Sequence, residues 1–156
     1  MKLLKKYDSV TREELEIFIG PMSKSKFFTK ALDNYLQNPN KKTWCWSAFL
    51  VGSFWFIYRK ALLIGLILSV IQIAWTLVLP MPMSTLLSVA LFIFLGIYGS
   101  NIYLDFASRT IMKYKSLNQD LNAQSMNSFI RIAGGISLFY PLAVYTIIQL
   151  AINLFI

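Results

Sequence analysis

Charged positions along this chain fall in blocks separated by long apolar stretches, not in the short-period alternation of a solvated surface and a core. Residues 61–104 carry no charge, and neither do residues 132–156. These stretches contain three apolar runs: Ala61–Leu79 of 19 residues, Ser84–Leu104 of 21 and Ile132–Ile156 of 25. At about 1.5 Å per residue, each reaches roughly the 30 Å thickness of a bilayer's hydrocarbon layer as a helix. A buried core helix is the alternative, but so short a chain leaves little to bury three of them. The pattern therefore predicts an all-α membrane protein with transmembrane helices at about 61–79, 84–104 and 132–156. Prolines at 80 and 82 mark a tight external turn, which predicts that the first two spans form an antiparallel hairpin.

Residues 1–43 are different in character and predict a cytoplasmic amphipathic helical region. Thr11 followed by Glu14 fits a capping box, with acids in the first turn and a stop at Gly20-Pro21. A second helix is predicted from about Ser23 to Gln37. Its apolar residues Phe27, Phe28, Ala31, Leu32, Tyr35 and Leu36 recur on one face, and Lys24, Lys26 and Lys30 lie largely off it. That face can pack on the rest of the protein or lie on an anionic leaflet. Asn38-Pro39-Asn40 predicts the turn that follows.

Residues 44–60 form an aromatic segment. Trp44, Trp46, Phe49, Phe54, Trp55, Phe56 and Tyr58 fall within fifteen positions. As a helix the segment is about 22 Å long, short for a span. Lys41-Lys42 precedes it and Arg59-Lys60 follows it, so a crossing would put one basic pair outside. An interfacial or re-entrant helix, turning at Gly52-Ser53, keeps both pairs on one side; a fourth span is the competitor. Tryptophan and tyrosine favour interfacial depth, so Trp46, Trp55 and Tyr58 are expected to lie there together.

The stretch Trp46-Ser47-Ala48-Phe49, then Gly52, then Phe54-Trp55-Phe56-Ile57-Tyr58-Arg59-Lys60, resembles the hallmark of a bacterial family of small inner-membrane proteins catalogued as a domain of unknown function. That family carries an Asn-Trp-Ala-Ala-Phe-like stretch ending in Trp-Leu-Leu-Tyr-Arg-Lys. Phe18-Ile19-Gly20 and Phe27-Phe28 are similar to its N-terminal motifs, and Tyr98, Asn101 and Tyr103 to polar positions near the end of a later span. Cys45 and Ser47 depart from its common Asn and Ala. The resemblance covers roughly residues 13–115 and implies a bacterial inner-membrane protein; it implies no activity.

Composition narrows the chemistry. Of the 156 residues, 56% are hydrophobic and 14% charged, against about 25% charged in a soluble domain. The chain has no histidine and one cysteine, which excludes histidine metal sites, an intramolecular disulfide and a cysteine zinc cluster. The net charge of +8 is concentrated before residue 61 and in residues 105–131. That block pattern differs from the basic surface of a nucleic-acid-binding domain, so no nucleic-acid partner is expected. The positive-inside rule then predicts a cytoplasmic N-terminus, a cytoplasmic 105–131 loop and an external C-terminus. The opening MKLLKKYDSV has basic residues but no apolar h-region, so no cleaved signal is expected.

Polar groups at membrane depth are functional candidates by default. Here they are the amides Gln72, Asn101, Gln149 and Asn153, for which interhelical hydrogen bonding is the simpler role. Asp105 stands four residues before Arg109, a spacing that favours a local ion pair; a partnership with Arg59 or Lys60 is the alternative. Arg59 is expected to contact Asp105, a backbone carbonyl of the aromatic segment, or a lipid phosphate, in falling order. Gly96 and Ser100 make a small-x-x-x-small step for helix packing. Gly134-Gly135 opens the third run, and Pro141 predicts a kink within it. Cys45 is a palmitoylation candidate or simply an apolar neighbour of tryptophan.

With no nucleophile–base pair in view, an enzyme is not expected, and no cofactor or metal is implied. The sequence favours a structural or accessory membrane protein binding anionic inner-leaflet lipid, a partner membrane protein or a second copy of itself. An oligomeric transport component is the second class. The candidate contact residues are Trp46, Trp55, Tyr58, Arg59, Lys60, Asn101, Tyr103 and Asp105.

Overall fold

The computed structural model describes residues 10–38, 40–118 and 122–155. Residues 1–9, Pro39, residues 119–121 and Ile156 lie outside the described residues, as do the side chains at 148 and 151–155, Asn153 among them. Among the described residues every regular element is helical. The all-α class read from the sequence holds.

Helix α1 spans Arg12–Ile19 and opens on the expected capping box. The Thr11 hydroxyl accepts from the Glu14 N–H at 3.3 Å, and Glu14 Oε2 accepts from the Thr11 N–H at 2.8 Å. It ends at Gly20, whose φ of +81° suits glycine. A 3₁₀ turn, Pro21–Lys24, leads into α2, Lys26–Gln37, capped by Ser25. Phe28, Ala31, Leu32 and Tyr35 of α2 are buried in the protein. Its apolar face therefore packs within the protein, with Phe27 half-buried and Leu36 left exposed.

The aromatic segment is two short helices, α3 (Trp46–Val51) and α4 (Ser53–Tyr58), hinged at Gly52 with φ +62°. A side chain at Gly52 would meet the Phe92 ring at 2.6 Å as well as the unfavourable φ. Helix α5 covers Leu62–Val78 and α6 covers Met81–Leu117. The two touch as the predicted hairpin, with the Trp75 indole N–H donating to Ser88 Oγ at 3.3 Å.

The third predicted span is corrected. Its run is divided between α7, Ala123–Ala133, and α8, Phe139–Phe155, with Gly134-Gly135 between them. Among the described residues only α6 is long and apolar enough to cross a membrane; α5 is apolar but 17 residues long. Three transmembrane helices are thus not supported. Pro141 sits in the first turn of α8, where its missing N–H is not needed by the helix, so it kinks nothing.

Helix α6 passes between two kinds of packing. Its C-terminal half, with α1, α2 and α7, encloses a conventional core of large apolar side chains including Leu15, Phe18, Leu32, Tyr103, Leu104, Ile111 and Ile130. The ion pairs Arg12–Glu16, Arg12–Asp33, Lys115–Glu14 and Arg109–Asp105 stand around it. The other half is inverted. On α5 the buried residues are Gly65 and Ser69, whereas Leu63, Ile67, Val70, Leu77 and Val78 point outward. Only 17% of the most apolar window of α6 is buried.

Candidate functional site

The two ends of the aromatic segment meet α6 within about one and a half turns, through Lys41-Lys42 at one end and Arg59 at the other. On the first side, residues 41–45 lie along the helix: Asn101 Nδ2 donates to the Lys41 carbonyl at 3.2 Å, Ser100 Oγ to the Thr43 carbonyl at 2.8 Å, and the Cys45 N–H to the Gly96 carbonyl at 2.7 Å. The Lys42 ammonium stands 4.9 Å from the centre of the Tyr98 ring. On the second side, the Arg59 guanidinium stands 5.7 Å from the centre of the Tyr103 ring. Those two tyrosines are five positions apart on α6, about 7.5 Å along its axis. The segment between them goes down to Phe92 and Ser69 at its Gly52-Ser53 corner and comes back. The segment is thus a helical hairpin that leaves α6 and returns to it.

Small residues make the descent possible. An added Cβ at Gly96 would lie 2.8 Å from the Trp44 ring, and one at Gly99 would lie 2.9 Å from Ala48. The Gly96–Ser100 step is therefore filled by this chain's own residues 43–49. On the return, Gly65 receives α4 closely, and Ser69 Oγ donates to Ser53 Oγ at 2.9 Å. These serines carry an interhelical hydrogen bond of the kind expected from the amides. The Gly65-x-x-x-Ser69 spacing was the signal for it. Of the amides, Asn101 is buried on backbone, Gln72 is half-buried and Gln149 is exposed.

Arg59 is 3% exposed and pairs with no carboxylate among the described residues. Its Nη1 donates to the Ile19 carbonyl at 3.5 Å, and Nη2 faces Met22 Sδ at 3.6 Å. The guanidinium carbon lies 4.5 Å from the Phe28 ring centre and 5.8 Å from that of Trp55. Arg59 Nε and the Tyr103 hydroxyl are buried with no hydrogen-bond partner among the described residues. The cation is thus held by the negative end of α1 and by aromatic faces. Lys60 does the same for another helix, donating to the Ile132 carbonyl at 3.0 Å near the end of α7.

This arrangement corrects several expectations. Arg59 reaches a backbone carbonyl, but one from α1 and not from the aromatic segment. Asp105 takes the local partner instead, accepting from Arg109 Nε at 2.6 Å. Trp46 is 65% exposed while Trp55 is 4% exposed, its ring 5.0 Å from Phe56 and 5.5 Å from Tyr103. Trp55 is a core residue, and Tyr58 is half-buried. Trp46, Trp55 and Tyr58 therefore differ in burial, from exposed through half-buried to enclosed. Cys45 is buried, its sulfur 3.4 Å from Ser47 Oγ.

Among the described residues no group of three or more Cys, Asp or Glu side chains is placed to hold a metal ion. A cleft of about 420 Å³ between α1, the 3₁₀ turn and α7 has Glu13, Glu16 and Arg131 among its lining. Its charges are mixed, and Ser23 supplies the hydroxyl of its lining.

Fold and site together define a protein that is all-helical among its described residues, with one helix there long and apolar enough to cross a membrane and an aromatic helical hairpin packed on it. The chain belongs to a family described as a protein of unknown function (DUF2628), which matches residues 8–109. The match takes in α1 through most of α6 and stops short of α7 and α8. No similarity to a curated protein or to a solved structure is found.

Proposed function

We propose that this is an integral membrane protein of accessory type, which binds lipid or a partner membrane complex and catalyses no reaction. The observation that carries the membrane reading is the inversion on α5. Glycine and serine face inward and large aliphatic side chains face outward. Water would drive those leucines and valines inside, whereas in lipid the outward position costs nothing and small residues let helices approach. In this reading the α5–α6 hairpin and the α3–α4 hairpin sit in the bilayer, and α1, α2, α7 and the end of α6 sit in the aqueous phase. The positive-inside rule puts that aqueous half in the cytoplasm, since the basic residues belong to it. We further propose the bacterial inner membrane as its location.

The inward polar groups support an accessory role over a transport one. Ser53, Ser69, Ser88, Ser100 and Asn101 are committed to neighbouring helices or backbone and line no conduit. Alkaline carbonate extraction of membranes from expressing cells tests the reading. The protein is expected in the pellet, and release into the supernatant as a detergent-free monomer would sink it. Identification of what co-purifies in mild detergent then tests the accessory role: a stoichiometric membrane protein is expected, and its absence would remove the partner.

A further inference from the structure

We infer that Lys41 and Lys42, held against Tyr98 and Asn101 of α6 beside Trp44 and Trp46, form a binding site for the phosphate of an anionic glycerophospholipid. The inference rests on the membrane reading and moves the lipid contact to a different basic pair. Arg59 is buried and Lys60 is bonded to a helix end. Lys41 and Lys42 are exposed, and no carboxylate pairs with either among the described residues.

Three observations give the pair the character of a site. First, its backbone is fixed. The Lys41 carbonyl accepts from Asn101, and the Thr43 carbonyl accepts from Ser100, so neither ammonium rides on a free loop. Second, the Lys42 ammonium is held 4.9 Å from the Tyr98 ring centre, and that ring stacks on Phe94 at 4.8 Å. A cation positioned on an aromatic face keeps donors for an anion. Third, the neighbouring surface is apolar and aromatic. Trp46 is 65% exposed, and its ring packs edge-on against Trp44 at 5.5 Å. Two unpaired ammonium groups beside exposed indoles match a lipid's own layout, a charged phosphate above its acyl chains. The site also stands where α6 passes from outward-facing apolar residues to its enclosed core, the level at which a headgroup would lie.

The test uses the full chain in mixed micelles of equal phosphatidylglycerol and phosphatidylcholine, with retained lipids counted by native mass spectrometry. The parent is expected to retain phosphatidylglycerol preferentially. Each lysine at a charged surface contributes about a fivefold bias, so K41Q/K42Q is expected to lower the preference by roughly 25-fold. K42Q alone should lower it about fivefold. K113Q, which removes the same charge about 22 Å further along α6, should leave it unchanged. An unchanged preference in K41Q/K42Q, or an equal loss in K113Q, would overturn the site. Displacement of the lipid by inorganic phosphate at constant ionic strength would make the ligand a free anion and overturn the lipid assignment. A parent that enters phosphatidylcholine bilayers without preferring phosphatidylglycerol sinks this inference alone. A parent that enters no bilayer sinks the membrane reading with it.

Discussion

The Arg59 guanidinium donates to the carbonyl of Ile19 at 3.5 Å and so caps the C-terminus of α1 from the end of the aromatic segment. The next residue, Lys60, caps α7 at Ile132. One dipeptide thus ties two helix ends from opposite parts of the chain to the start of α5. Lys60 takes up a φ of +60° to do it, a left-handed conformation that an L-residue adopts at some cost. The pair is built for cohesion, with a buried cation neutralised by helix carbonyls and π faces.

Arg59→Lys tests that geometry. The substitution keeps the charge and removes the plane that lies on Phe28, Trp55 and Tyr103. It is expected to cost about 1–3 kcal/mol, the range for disturbing a buried charged hydrogen-bonding group. The measurement is the thermal midpoint of the purified protein in detergent. A midpoint equal to the parent's would show that any cation suffices there.

Gly134→Ala is expected to be the more damaging of two adjacent glycine substitutions. A Cβ at Gly134 would stand 2.0 Å from the Phe18 carbonyl oxygen, a backbone atom that cannot step aside. Gly135 has nothing within 4 Å of such an atom, and only its φ of +80° opposes alanine. Gly135→Ala should cost about 1–2 kcal/mol, and Gly134→Ala should cost more. Chemical denaturation of both in the same detergent decides the order; a reversed order would show that α7 does not pack on the end of α1.

Local elements were readable from the sequence because their signals are local. Thr11 and Glu14 lie three residues apart, Gly20-Pro21 stops α1, and Gly52 hinges the aromatic segment. Asp105 and Arg109 share a helix face by spacing alone. What could not be read were relations that need the third dimension. Nothing near Arg59 in the chain points to Ile19, and nothing near Lys60 points to Ile132. The sequence therefore pointed Arg59 first to Asp105, the carboxylate that the expected hairpin brings nearest. The burial of Trp55 was illegible for the same reason: the Tyr103 ring that packs on it lies far along the chain. The third predicted span failed on a local signal given too little weight, since Gly134-Gly135 ends α7 inside an uncharged run.

The Ser53–Ser69 hydrogen bond is expected to be weak but measurable. Ser69 Oγ also donates toward the Gly65 carbonyl at 2.9 Å, so losing Ser53 leaves it a partner. A double-mutant cycle of S53A, S69A and the pair should give a coupling of about 0.6 kcal/mol, and no more than roughly 1.7. A coupling of zero would mean that α4 and α5 are held by the close Gly65 approach alone.

The last prediction separates lipid from water as the surroundings of α5. Val70 lies at the middle of that helix and is 63% exposed, and Leu117 ends α6 in the aqueous half and is 69% exposed. By exposure alone the two are equivalent, and a lysine at either would be tolerated within about 0.5 kcal/mol on a wet surface. If α5 lies in a bilayer, the two sites differ in solvent. A lysine at the centre of a membrane helix costs about 2.5–3.5 kcal/mol, partly relieved if its ammonium reaches the headgroups. Val70→Lys is therefore expected to lower the fraction retained in carbonate-washed membranes and the thermal midpoint in nanodiscs. Leu117→Lys should leave both unchanged. The comparison is internal, since each variant replaces an exposed aliphatic side chain by the same cation in the same chain. Equal, small effects at the two positions would place α5 in water, and its outward leucines and valines would then need a protein partner to cover them.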